Sequence, residues 1–329
     1  MTGDPTEESP EPQARMSASG DPVLSVVVTI ASDTLHPPSI DHLRPCLESL
    51  ARQHNPPAME VIVPHQPEFS GMIELGKEFP AVRFLEICDL KRYTGHSGSR
   101  EHHNELRARG VKAARGEIVA LTEDHAVADP DWCSSIVEAH RKPVAAVGGA
   151  IENAAPGLLN WAVYFREFGQ YQNPLREKEA FDPSDVNVSY KRSALAGIRD
   201  AWSDTFEERT VNWAIRASGR RITFSPRVVV YQKRMNLNLA SALQERWIWG
   251  RSYGAWRGLS GSSRFVWAFV SLGLPVILVA RAIATIARKR RNAGVFLKAL
   301  PLLILITAAW CGGEMSAYLT GAKATRPPA

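Results

Sequence analysis

The tripeptide Glu123-Asp124-His125 follows an apolar run, Glu117-Ile-Val-Ala-Leu-Thr122, and precedes Asp129-Pro-Asp-Trp132. Oxygen and imidazole donors gathered at a strand end suit a divalent cation that bridges two phosphates. Mg2+ prefers oxygen ligands and Mn2+ also accepts imidazole. An exposed acidic turn would satisfy the same tripeptide. Asp129 as a cap and Pro130 at the first helical position predict a helix starting just after the cluster. Two more carboxylates, Glu207 and Glu208, open a stretch that stops at Gly219, where acidic side chains also serve simply as dipole-favoured surface charges. Glu101-His-His-Asn-Glu105 carries metal-capable groups, but neighbouring histidines on a helix point in different directions, so it reads as a polar surface or lid segment.

The elements that must position these groups alternate. Val23-Leu-Ser-Val-Val-Val-Thr-Ile30 is a continuous β-branched run suited to a strand buried on both faces. Leu43, Leu47 and Leu50 recur at helical spacing, and Met59 to Val63 and Val82 to Ile87 are further apolar runs. A helical stretch through Leu106, Val111 and Ala114 leads into the strand before Glu123. Such alternation predicts a doubly wound α/β sheet whose ligands lie at the carboxyl ends of its strands, where Glu123 falls. Beyond it the sequence predicts a strand over 144–151, an aromatic helix from Trp161 to Phe168, a strand near Asn187 to Ser193, a helix from Phe206 to Arg216 and a returning strand from Ile222 to Tyr231.

The chain has 329 residues and a net charge of +5. That length suits one large domain with appendages. The excess of positive charge is modest and gathers near the C-terminal apolar segments, with no basic DNA-reading helix, so nucleic acid is not an expected partner. Four cysteines without paired spacing argue against a disulfide framework or a structural zinc site, as in a reducing cytosol. Residues 1–22 are rich in Pro, Glu, Ser and Gly and predict a disordered tail rather than a signal peptide.

The last third differs in kind. Phe265 to Ala287 and Ala299 to Leu319 are apolar stretches of about the 20 residues needed to cross a bilayer, with Arg281, Lys298 and Glu314 in or beside them. Trp247, Trp249, Trp256 and Trp267 gather before and at the start of the first, as interfacial aromatics do. If both segments span and the catalytic part is cytosolic, Arg288-Lys-Arg-Arg291 falls outside, against the positive-inside tendency; an incomplete or in-plane hairpin avoids the conflict.

Over Val23 to about Tyr231 the chain resembles glycosyltransferase family 2, inverting enzymes of the GT-A fold. The matching stretches are Ser25 to Ile30, Leu43 to Gln53, Glu60 to Val63, Arg107 to Glu117, Leu121 to His125, Asp129 to Trp132 and Asn187 to Ser193, in the family's order and spacing. The resemblance implies sugar transfer from a nucleotide-sugar donor with Mn2+ or Mg2+, the metal held at Glu123, Asp124 and His125. It implies a catalytic base at Glu208, with Glu207 next, that takes the acceptor's proton as the new bond forms from the opposite face. Donor contacts would come from Thr29, Ala31, His65, Arg107, Glu123 and Asp124, and acceptor contacts from Asn187, Arg246 and Trp247.

Three departures from the family pattern stand out. Pro64-His65 replaces the usual acidic residue after the second strand. Val230-Tyr-Gln232 replaces the usual metal-holding His, so Gln232 would offer a carbonyl oxygen. Gln244-Glu-Arg-Trp247 is one residue shorter than the Gln-x-x-Arg-Trp of processive members, which implies transfer of single sugars. The expected organisation is a tail (1–22), a GT-A domain (23–235), an amphipathic interfacial segment (236–263), two membrane helices (264–321) and a tail (322–329). The acceptor is expected to be a lipid-linked saccharide, glycolipid precursor or other glycan of the cell envelope or an exopolysaccharide, met at the cytoplasmic face of the cell membrane. The alternative is a scaffold that binds nucleotide sugars but has lost the chemistry.

Overall fold

A computed structural model describes residues 21–31, 39–90, 98–179, 181–234 and 237–322, with side chains left aside for 98–101. The expected tail over residues 1–22 thus lies almost wholly outside the described residues, as does most of the C-terminal one.

The first half is built as its apolar runs dictate: β1 (Leu24–Thr29), α1 (Ile40–Ala51), β2 (Met59–His65), α2 (Met72–Glu78), β3 (Val82–Glu86), α3 (Gly98–Ala113) and β4 (Ile118–Glu123). β1, β2, β3 and β4 are parallel, and every residue of β1 and β2 is buried, as β-branched runs covered on both faces require. α2 was not foreseen; it packs Met72 and Leu75 inward.

The second half adds β5 (Ala126–Ala128), α4 (Trp132–His140), β6 (Ala146–Asn153), α5 (Leu158–Glu167), β7 (Val188–Lys191), α6 (Arg192–Ala196), α7 (Glu208–Ala217) and β8 (Ile222–Gln232). All eight strands form one mixed sheet in the order β3-β2-β1-β4-β7-β6-β8-β5. β7 runs antiparallel to both β4 and β6, and this places the loop before β7 beside the end of β4. α4 starts later than the Asp129-Pro130 signal predicts: its N-cap is Asp131, and the Asp129 carboxylate accepts from the Asp131 amide in a turn. The two faces of the sheet carry separate cores. One is centred on Val26, Val28, Leu47 and Trp132, the other on Val27, Ile62, Tyr190 and Phe206.

The chain then leaves the sheet as α8 (Leu239–Trp256), α9 (Ser263–Ser271), α10 (Leu274–Lys289) and α11 (Ala293–Thr320). Ser263–Lys289 and Ala293–Thr320 are long and apolar enough to cross a membrane, with mean hydropathies of 2.1 and 2.0. α8 lies parallel to α11 at very close range. A Cβ added at Gly250 would meet the Trp310 carbonyl oxygen at 1.8 Å, and one at Gly254 would meet the Ala317 Cβ at 2.8 Å. Small residues four apart let two backbones approach in this way.

The expected amphipathic segment over 236–263 takes an inverted form here. α8 buries Glu245 and Arg246 and exposes Trp247 and Trp256, the arrangement of a helix with apolar surroundings outside and polar partners inside. The basic connection between α10 and α11 is docked on the sheet domain. Lys289 donates to the carbonyls of Gln172 and Pro174, Arg291 pairs with Glu152 at 2.8 Å, and Asn292 donates to Gln172. The connection and the sheet domain therefore lie on one side. For α10 and α11 to cross a membrane completely, α8 must cross first; otherwise the hairpin enters the membrane without leaving it.

Candidate active site

β4 ends at Glu123, and period-two alternation sets the directions of the side chains there. Glu123 and His125 face a cavity while Asp124, fully buried, points away from it. The Asp124 carboxylate accepts from the Ala31 amide at 3.1 Å and lies 3.0 Å from His125 Nδ1. His125 Nε2 lies 3.4 Å from a Glu123 oxygen. Asp124 therefore orients the imidazole from behind, as a carboxylate often does for a metal-binding histidine. Burial alone would lower the His125 pKa, but the bond to Asp124 and the fields of Glu123 and Asp124 outweigh it and raise the value. Glu123 is raised above the ordinary carboxylate range by burial first and by nearby Asp185 second.

Arg107, only 2% exposed, reaches the same wall from α3. Its guanidinium lies 2.7 Å from Asp185 and 3.7 Å from Glu123, and also donates to Asn104 and the Phe206 carbonyl. Asp185 sits in the loop before β7, and its backbone amide donates to a Glu208 oxygen at 2.9 Å. A continuous polar line thus runs from His125 through Glu123, Arg107 and Asp185 to Glu208, all of them lining the cavity. Glu207 does otherwise: it is the N-cap of α7, and its carboxylate accepts from the Thr210 amide and hydroxyl, each at 2.7 Å.

The other expected site residues divide sharply. Ala31 lines the cavity. Thr29 is buried behind it, with its carbonyl bonded to the Asp124 amide. His65 is turned toward Phe84 and the Gln66 carbonyl, outside the cavity lining. Gln232 is buried with neither amide atom hydrogen-bonded, and does not line the cavity either. The Asn187 side chain is an internal strut: it accepts from the Trp132 indole and donates to the Ala150 and Val228 carbonyls, which leaves nothing for an acceptor. Arg246 does line the cavity, held by Glu167 and Glu245. Trp247 does not; its ring lies against Gly312, while Trp249 and Tyr253 of the same helix face the cavity.

Asp185 and His42, which sequence reasoning passes over, line the cavity, and so do His103 and Asn104 of the segment expected as polar surface or lid. Of this segment His103 and Glu105 are buried and His102 and Asn104 half-buried. Its histidines do point in different directions, and that spacing was the available signal. Among the described residues no cluster of three His, Cys, Asp or Glu is arranged to hold a metal ion. Glu123 and His125 nonetheless supply an oxygen and a nitrogen on the cavity wall, with the second imidazole nitrogen already engaged. That pair fits an ion whose remaining ligands come from a diphosphate.

The cavity has a volume of about 1270 Å³. Its far wall is made by α5, α8, α10 and α11, including Arg166, Trp249, Arg281 and Trp310. Pockets for a single small ligand occupy roughly 300–1,000 Å³, so this one has room for two reactants.

A mixed sheet with a carboxylate-rich β4 end and an acidic helix start across one cleft defines the GT-A architecture of nucleotide-sugar-dependent transferases. The fold is shared with a mannosyltransferase from Pyrobaculum calidifontis solved with GDP-Man and Mn2+, at 16% identity, with 94% of this chain and 90% of that one covered and a TM-score of 0.51. S. aureus TarS 1-349 solved with UDP-GlcNAc aligns more loosely, at 14% identity over 91% and 92% of the two chains, with a TM-score of 0.46. No curated protein matches the sequence. Residues 93–199 match the model of glycosyl transferase family 2. Over that stretch the chain is similar to glycosyl transferase family 2.

Proposed function

We propose that this enzyme transfers one sugar at a time, with inversion, from a nucleotide-sugar to a hydroxyl of a lipid-borne acceptor at the cytoplasmic face of the cell membrane. The observation that carries this reading is the continuity of the cavity: one space joins Glu123, Asp185 and Glu208 to the apolar helices α10 and α11. A donor held at the sheet and an acceptor entering beside those helices would meet within it. The basic connection over residues 288–291 shares a side with the sheet domain, and the positive-inside tendency makes that side cytoplasmic. A cell-envelope or exopolysaccharide product fits such a place.

In this reading Glu208 accepts the acceptor's proton while the acceptor oxygen forms its bond to the sugar C1. The C1–phosphate bond breaks on the opposite face, and its electron pair leaves with the nucleoside diphosphate. The Asp185 amide holds one Glu208 oxygen and fixes the direction of the carboxylate. Arg107 keeps Glu123 and Asp185 apart and neutralised, so that both remain on the wall of a buried cleft. Mn2+ or Mg2+ at Glu123 and His125 would supply charge neutralisation for the departing diphosphate.

The test is turnover of UDP-, GDP- and dTDP-sugars by the detergent-solubilised protein, with membrane lipid extract, in Mn2+ and in chelator. Metal-dependent turnover of one donor is expected. Binding without turnover of any donor would instead favour a scaffold, and full activity in chelator would remove the metal.

A further inference from the structure

The cavity's outer end holds a charge arrangement that sugar transfer to a plain hydroxyl does not require. α10 is apolar apart from Arg281 until its last turn, and its cavity-facing positions recur at helical spacing: Leu278, Arg281, Thr285 and Arg288. Arg281 lies eight residues, roughly 12 Å of helix, before the docked Lys289. A charge so far into an apolar helix is costly, and such residues face cavities and mark ligand paths.

Arg166 faces the same space from α5, with its guanidinium 4.9 Å from the centre of the Trp310 ring and its Nε buried without a hydrogen-bond partner. Among the described residues neither Arg166 nor Arg281 has a carboxylate within ion-pair distance, whereas neighbouring Arg246 has two, Glu167 and Glu245. Burial holds the Arg166 guanidinium below its ordinary pKa, and the like charge of Arg281 adds to that against the fields of Cys311 and Glu314. Glu314 Oε1 accepts from Tyr318 at 2.6 Å and lies 3.6 Å from Arg257, and its Oε2 is buried with no hydrogen-bond partner among the described residues.

Two guanidiniums turned into one cavity between apolar helices repel each other until an anion joins them. Arginine's forked donors match phosphate oxygens, and basic pockets between membrane helices bind lipid head groups. We infer that Arg166 and Arg281 form a subsite for a phosphate or diphosphate group on the acceptor lipid, with Arg288 at its rim. This rests on the reading of a lipid-borne acceptor and narrows it: the anion anchors the acceptor while its hydroxyl is presented to Glu208. The indole of Trp310, against Arg166, gives the subsite an optical reporter.

The experiment uses the full chain in neutral-lipid nanodiscs and follows tryptophan fluorescence with dodecyl phosphate, dodecanol and inorganic phosphate. Saturable binding of dodecyl phosphate is expected, with dodecanol and inorganic phosphate each weaker by about tenfold or more. Arg281→Gln should weaken dodecyl phosphate by about tenfold and Arg281→Lys by less, because the charge remains without the fork. Arg281 is exposed on α10, so these changes leave the fold intact. Equal binding of dodecanol, or unchanged binding in Arg281→Gln, would overturn the anion subsite. Inorganic phosphate binding as tightly as dodecyl phosphate would overturn the lipid source. Donor turnover measured in parallel separates the two readings: a wild type that turns over donor without saturable binding of dodecyl phosphate refutes the subsite alone, and a wild type that turns over no donor refutes the transferase reading alone.

Discussion

The sheet half and the helical half of the cavity handle charge in opposite ways. At the sheet, buried Arg107 lies within 3.7 Å of two half-buried carboxylates, Glu123 and Asp185. At the helices, Arg166 and Arg281 face the same space, and among the described residues neither has a carboxylate within ion-pair distance. Closed pairs suit groups that must hold a fixed geometry through many turnovers. Open charges suit groups that wait for a ligand to complete them. In the proposed reading the inner half serves chemistry and the outer half anchoring, and each assignment can be broken separately.

The largest effect should come from Glu208→Gln. The amide still accepts from the Asp185 amide but takes up no proton, so kcat for transfer should fall by roughly 10²- to 10⁴-fold with donor affinity and Tm little changed. Initial-rate kinetics and donor titration on one preparation check it. A variant that transfers at the wild-type rate would remove proton abstraction from the inner half.

Next is Arg107→Met, which leaves two half-buried carboxylates without the buried guanidinium between them. Removing one partner of such a cluster costs about 3–5 kcal/mol, read as a fall in chemical-denaturation stability. Adding Asp185→Asn should recover part of it. An unchanged denaturation midpoint in the single variant would mean that the inner charges are not neutralised as a unit.

Acid should weaken the sheet half before the helices. Burial brings His140 from its ordinary 6.5 down to about 4, with its Nε2 2.9 Å from the Ser189 hydroxyl. Between those values the unfolded chain binds the proton and the folded chain does not. The stabilisation is therefore complete above pH 6.5 and is lost as pH falls through about 4, by up to about 3 kcal/mol. Tm measured against pH should show this acid slope, and His140→Gln should flatten it.

The fold and site were legible in the sequence only as far as regular pattern extends. β1, β2 and β4 announced themselves because strands buried on both faces need uninterrupted apolar runs. What the tripeptide alone does not reveal is that Asp124 turns back to the Ala31 amide and to His125 rather than into the cavity. Asp185 could not be found in this way, since it comes from a loop with no period and reaches Arg107 only because β7 runs antiparallel beside β4. For the expected interfacial segment, pattern does not say which face of the helix is covered. The close packing of Gly250 and Gly254 on α11 turns Glu245 and Arg246 inward instead.

The smallest effects sharpen the outer half through its residue-by-residue geometry. Asn187→Ala should cost stability alone, about 1–3 kcal/mol from the orphaned Trp132 indole and two carbonyls, and leave the acceptor KM unchanged below the new Tm. Trp249→Ala and Trp247→Ala then form a matched pair two residues apart on α8. Trp249 faces the cavity and Trp247 packs on Gly312, so only the first should raise the acceptor KM, by a few-fold, with the donor KM unmoved. Equal effects would show that α8 acts on the acceptor through its packing on α11. A larger effect from Trp247 would return the acceptor path to the lipid-facing side of α8, outside the cavity that joins the two halves.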